Sequence, residues 1–210
     1  MILKCLYIDV VDPAFLTVSP PYAAGFLGAA EVRRYAERPE YDLTEPYLTR
    51  ALTAGDGCFG LRADGTLAAY GWYATRAHRF SDEHVLRFGR DWVYMHHGFT
   101  HPAHRGRRLH AIGMTLALAA YQARGFRGFV TLVAADNEAS LKSCARMGYH
   151  VFGTLYAVRP GRVLRKVGLT HPLLDIPVAW CTPGCRAFDM QLERIATSPH
   201  VDAVHEPLKS

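Results

Sequence analysis

The chain has 210 residues, 50% of them hydrophobic and 20% charged, with a formal charge of +5 at neutral pH. That length suits one domain with a decorated end, and the composition excludes a disordered chain while leaving enough apolar residues for a sizeable core. No apolar run approaches the roughly eighteen residues of a membrane span. An odd count of 5 cysteines without a secretory leader argues against a disulfide framework, so a cytoplasmic protein is expected.

Residues 2–11 read as a strand, and Pro13, Pro20 and Pro21 mark the loop after it. Residues 23–38 read as a helix stopped before Pro39, and a second helix runs from Thr44 to a stop at Gly55. Cys58–Leu61 and Leu67–Thr75 are strands around the hairpin signal Asp64-Gly65, followed by a charged loop from Arg76 to Arg90. Trp92–Thr100 is a strand. Residues 106–124 form a helix ending at Gly125, with Leu109, Ile112, Leu116 and Ala120 as its apolar stripe. Phe129–Ala135 is an unbroken apolar strand, and Asn137–Met147 a helix stopped by Gly148. Tyr149–Val158 and Val163–Val167 are strands around Arg159–Arg162, and the proline-rich last forty residues or so resist assignment.

This order implies a mixed sheet with helices on both faces. The strand-helix-strand unit from Trp92 to Ala135 is a right-handed parallel crossover. Ligands of such sheets sit beyond the carboxyl ends of strands, close to helix N-termini. A helix start near Gly106 offers unpaired amides and a partial positive charge, and Arg105, Arg107 and Arg108 add charge-assisted donors there. The pattern suits a pyrophosphate. It suits nucleic acid poorly, because an apolar helix follows at once and no aromatics interleave the charges.

Two segments carry a family resemblance. Thr100-His-Pro-Ala-His-Arg-Gly-Arg-Arg-Leu-His-Ala-Ile-Gly113 resembles the acyl-CoA-binding motif of the Gcn5-related N-acetyltransferase (GNAT) family, in which Arg or Gln is followed by two residues, Gly, one residue, then Gly or Ala. Asn137-Glu-Ala-Ser-Leu-Lys-Ser-Cys-Ala-Arg-Met-Gly-Tyr149 is similar to the family's later Asn-to-Gly-aromatic helix. The resemblance covers residues 57–158 and implies an α/β (α+β) fold. The sheet would be mixed and mostly antiparallel, with helices on both faces and a splayed central parallel strand pair. It assigns residues 1–168 to an acyltransferase domain and leaves 169–210 as an extension on it.

The resemblance also implies site residues. Backbone at Gly98, Phe99 and Thr100 would meet the thioester and pantetheine arm. Arg105, Gly106, Arg107, Arg108, Leu109, His110 and Ala111 would surround the pyrophosphate, and Asn137 would contact pantetheine. Arg108 and His110 stand where the family usually has small residues. Bases on the central strand fall at positions matching Tyr94 and His96. The position of the family's tyrosine acid is held by Cys144, whose thiol could protonate the departing thiolate but reads better as core packing.

Strand alternation puts Val93, Met95, His97 and Phe99 on one face and Tyr94, His96, Gly98 and Thr100 on the other. His96 is therefore the expected base and His97 a packed core residue, and a bulge in this strand would exchange those assignments. The resulting expectation is an N-acyltransferase. It takes acetyl-CoA or a longer acyl-CoA as donor and a small-molecule amine as acceptor, and works by direct transfer. The rival readings are a non-catalytic acyl-CoA-binding module and an acyltransferase fed by an acyl carrier protein. The oligomeric state stays open, a homodimer included. No metal is expected, since His96, His97, His101, His104 and His110 lack zinc-ligand spacing, and Cys181 and Cys185 are separated by three residues rather than two.

Overall fold

The computed structural model describes residues 1–158 and 178–195. The expected strand at Val163–Val167 and the turn before it lie outside the described residues. The strands are β1 (Ile2–Ile8), β2 (Ala23–Leu27), β3 (Gly57–Ala63), β4 (Thr66–Ala74), β5 (His78–Arg79), β6 (His84–Arg87), β7 (Trp92–Thr100), β8 (Gly128–Ala134), β9 (His150–Val158), β10 (Val178–Cys181) and β11 (Gln191–Arg194). The helices are α1 (Ala29–Ala36), α2 (Glu45–Ala54), α3 (Leu109–Gln122) and α4 (Glu138–Arg146). Eight strands form one sheet in the order β10-β9-β1-β8-β7-β4-β3-β2, antiparallel except for β7 beside β8. A small sheet, β11-β6-β5, stands apart from it.

Most element boundaries follow from local chemistry. Asp64 and Gly65 both take positive φ (50° and 75°), the two-residue turn whose twist matches the β3–β4 hairpin. Gly55 ends α2 in the left-handed region at φ 78°. Asn137 caps α4 by accepting from the Ser140 amide at 3.1 Å, and Gly148 follows it at φ 87°.

Four expectations need correction. Ala23–Leu27 is a strand rather than helix, because it pairs with Leu27↔Cys58 through Ala23↔Arg62 of β3, and that edge pairing overrides its local preference. The loop 76–90 contains β5 and β6, whose outer partner β11 comes from the far end of the chain. α3 begins at Leu109 rather than 106, since Gly106 (φ 77°) and Arg108 (φ 58°) are both left-handed and break helical geometry. Its buried side is Met114, Ala117, Leu118 and Tyr121, not the stripe through Ile112, Leu116 and Ala120. The helix is apolar nearly all round, so periodicity could not choose a face.

The sheet is covered on both faces. α3 and α4 pack over Phe59, Tyr73, Val93, Met95 and Phe129. On the opposite face α1 and α2 cover Cys58, Tyr70 and Trp72. Beyond them Cys185, Phe188 and Met190, in and just after a short 3-10 helix, cover Leu3, Cys5, Tyr94 and Val130.

Candidate acyl-CoA site

The central strands part partway along their length. β7 pairs with β8 only from Trp92↔Gly128 to Met95↔Thr131. The Thr131 hydroxyl donates to the Met95 carbonyl at 2.8 Å and closes the apex. Beyond it β7 stays with β4 and β8 stays with β1, so the edges that face each other are left unpaired with one another. A cleft of about 830 Å³ opens there.

A bulge lies just past the apex. Trp72 pairs with His97 and Tyr73 with Met95, so His96 is the extra residue. Before the bulge Val93 and Met95 face α3 while Tyr94 faces away. After it His97 and Phe99 stack on Tyr70, on the side of α1 and α2. Gly98 has crossed to the α3 side, where an added Cβ would lie 2.7 Å from His110 Cε1 and from Met95 Cε. The alternation expected for Gly98, Thr100, His97 and Phe99 is thus reversed, and the bulge is the cause.

The two histidines consequently differ. The His96 side chain is 3% exposed, with Nε2 3.1 Å from Asp56 Oδ2 and Nδ1 3.2 Å from the Tyr47 hydroxyl. Burial pushes its pKa down, and Asp56 opposes that only in part. Both histidines line the cleft, and the His97 side chain is the more exposed, at 27%. Its Nε2 lies 3.0 Å from the Tyr70 hydroxyl, which itself donates to the Tyr41 carbonyl at 2.7 Å. With its one proton so used, Tyr70 accepts from His97 Nε2–H, and Nδ1 of His97 carries the free lone pair. Burial holds His97 below the ordinary imidazole value, with Asp42 pulling weakly the other way, so the ring is neutral at pH 7.

The other expected residues are distributed as follows. Gly98, Phe99, Thr100, Arg105, Gly106, Arg108, Leu109 and His110 line the cleft. Arg105 donates to the Thr100 carbonyl at 3.3 Å, and Arg108 is exposed at the mouth. Arg107 instead turns to the Tyr22 hydroxyl at 2.8 Å, and Ala111 packs against the core, so neither lines the cleft. The amides of Leu109, His110 and Ala111 have no intrahelical acceptor, as at any helix start. His110 is kept neutral by burial. Asn137 lines the opposite wall while capping α4.

Tyr94 is 4% exposed among core side chains and does not reach the cleft; burial pushes its phenol up. Cys144 lines the cleft at 9% exposure, and burial raises its thiol, which keeps it protonated and weakly nucleophilic. Tyr149 also lines the cleft, with its hydroxyl 3.3 Å from the Met114 sulfur, a weak acceptor. Sequence reading missed Asp56, Tyr47, His78 and Tyr70, which no motif marks and which reach β7 only through folding. Trp72, Tyr73 and Trp92 are core residues.

A basic mouth, free helix-start amides and a cleft between parted strands thus come together along one edge of a mixed α/β sheet. The profile of the acetyltransferase (GNAT) family matches residues 26–149. The chain belongs to the GNAT family. A comparison with curated proteins finds no match. Among solved structures, it is similar to a GNAT-family acetyltransferase from Novosphingobium aromaticivorans, with TM-score 0.50 and 20% identity over 73% of this chain and 60% of that one. It is also similar to a GCN5-related N-acetyltransferase from Sphaerobacter thermophilus, with TM-score 0.51 and 12% identity over 73% of this chain and 49% of that one. A ribosomal-protein-alanine N-acetyltransferase from Brucella melitensis aligns at TM-score 0.45 and 17% identity over 60% of this chain and 90% of that one. The chain thus spans 60% and 49% of the first two, and these likenesses bear on fold alone.

Proposed function

We propose that the chain moves an acetyl or longer acyl group from acyl-CoA to the amine of a small molecule by direct transfer. The observation that carries this reading is the cleft of about 830 Å³ running from the helix-start amides to the parted strands beside His97. Phosphates suit the mouth, where the amides of α3 and the guanidinium groups of Arg105 and Arg108 converge. The pantetheine arm suits the unpaired edge at Gly98–Thr100, with Asn137 across from it.

In this reading His97 Nδ1 accepts a proton from the acceptor amine. The amine nitrogen attacks the thioester carbon, the carbon–sulfur bond breaks, and the departing thiolate is protonated by water in the cleft, because burial pushes the nearby Tyr149 phenol too far up to donate readily. The free lone pair and greater exposure of His97 favour it over His96, whose ring nitrogens both face Asp56 and Tyr47. Cys144 is then a wall of the cleft, and Tyr94 supports the bulge from the core. Side-by-side binding of the two reactants supplies much of the acceleration.

Release of free thiol from acetyl-CoA, measured with a panel of small amines, tests the reading. One or more amines should stimulate release, and His97→Gln should lower kcat by about 10²-fold or more while CoA affinity is kept. Thiol release that no amine stimulates points to a non-catalytic acyl-CoA module. A second reading is favoured by Arg108 and His110, whose bulk replaces small residues at the helix start: the donor is an acyl carrier protein, which lacks the adenosine part. It predicts calorimetric heat with acyl carrier protein and none with CoA.

A further inference from the structure

At the back wall of the cleft, which His96 lines, a carboxylate and two imidazoles converge on the α2 side of β7. Asp56 follows the glycine that ends α2, His78 comes from β5, and His96 is the bulge residue. His96 Nε2 lies 3.1 Å and His78 Nδ1 3.6 Å from the same oxygen, Asp56 Oδ2. All three atoms fall within 4.8 Å of one another. The side chains of His96 and Asp56 are 3% and 5% exposed. Despite the short distance, neither His96 Nε2 nor Asp56 Oδ2 has an aligned hydrogen-bond partner among the described residues. The close approach makes His96 and Asp56 an ion pair whenever the ring is protonated, but with Nε2 and Oδ2 misaligned for a hydrogen bond, three potential ligand atoms converge at one buried point.

The spacing fits a particular kind of ion. Donors held 2.0–2.1 Å from a tetrahedral zinc lie roughly 3.3 Å from one another, and the two separations here fall on either side of that value. The Tyr47 hydroxyl against His96 Nδ1 is the outer partner that fixes a ligating imidazole in its tautomer. Arg50 and Arg79 line the recess beside the cluster and oppose a cation, so binding should be weaker than at a closed four-ligand site.

We propose that Asp56, His78 and His96 bind one divalent transition-metal ion of the zinc type, with an open coordination position facing the recess beside Tyr47 and Arg50. The ion ties the end of α2 and the β5–β6 hairpin to the bulge, and so fixes the strand on which His97 stands. Only one of its ligands belongs to the histidine-dense stretch, which is why spacing in the sequence gave no hint of it. The inference does not depend on acyl transfer.

The test is titration of chelator-stripped, tag-free protein with cobalt(II) chloride and then zinc chloride. Expected are one equivalent of cobalt bound with a tetrahedral or five-coordinate visible spectrum, displacement by zinc, and a rise in Tm on zinc addition. Asp56→Asn and His78→Gln should each abolish the spectrum and the rise in Tm. Absence of saturable binding, an octahedral spectrum, or equal binding by both variants would overturn the proposal. The last outcome would assign the ion to other histidines. If the variants fail to fold, the wild-type stoichiometry and spectrum decide alone.

Discussion

At the scale of single residues, the site turns on where protons and backbone strain are held. Tyr70 gives its hydrogen to a backbone carbonyl and so dictates the tautomer of His97. Replacing Tyr70 by Phe removes that acceptor and should lower kcat several-fold with little change in CoA affinity, as read by steady-state kinetics beside calorimetry. Arg108 holds a left-handed conformation at φ 58°, one that glycine adopts freely and that costs other residues about 1–2 kcal/mol. Arg108→Gly should therefore raise stability by up to about 1 kcal/mol after the entropy of glycine is subtracted. It should also weaken CoA binding, most at low salt, because an exposed guanidinium is screened. Calorimetry at two salt concentrations beside urea denaturation would separate the two effects. The sequence marked Arg108 as unusual for its place in the motif, and the left-handed φ is the physical form of that departure. It could not mark Tyr70 or Asp56, because their roles exist only across strands and turns.

At the scale of elements, the decisive feature is the bulge in β7. A strict two-residue period puts His96 with Gly98, whereas one extra residue puts His96 and His97 on a common face and sends Gly98 to the other. Composition gives no warning of a bulge. It arises from pairing with β4, a non-local partner, so the strand itself was legible but not the facing of its second half. Helix starts and stops were legible wherever glycine or a capping Asn marked them, as at Gly55, Asn137 and Gly148. They failed at α3, where two left-handed residues delay the helix. Gly98 permits close approach of His110 and Met95, so Gly98→Ala should force both apart and narrow the cleft. A rise in KM for acyl-CoA with unchanged urea midpoint is the expected outcome.

At the scale of the whole molecule, the fold depends on long-range pairings that join the ends of the chain to its middle. β1 lies between β8 and β9, β10 extends the sheet beyond β9, and β11 completes the small sheet through β6. Through β10 and β11, residues 178–195 join sheets built by the earlier part of the chain. The mixed sheet with helices on both faces was legible from element order, but the small sheet was not, because its partners are a charged loop and a segment without clear periodicity.

Two stability predictions belong at this scale. A Cβ at Gly128 would run into the Ile8 carbonyl and come within 2.9 Å of the Asp9 Cα, so Gly128→Ala should cost about 2–3 kcal/mol in urea denaturation. His110 is held by burial below its unfolded value, so below about pH 6.5 the unfolded chain takes a proton that the native state refuses. Stability should fall as pH drops through that range. His110→Gln should flatten the slope by at most one proton, about 1.4 kcal/mol per pH unit.

The central claim is that an acyl-CoA lies between β7 and β8 with its phosphates at the start of α3. A crystal structure grown with CoA tests it most directly. The account predicts pyrophosphate density against the amides of Leu109 and His110, with Arg105 and Arg108 beside it and the thiol between the parted strands near His97. Clear CoA density elsewhere on the protein, with the cleft between β7 and β8 filled by solvent, would contradict it.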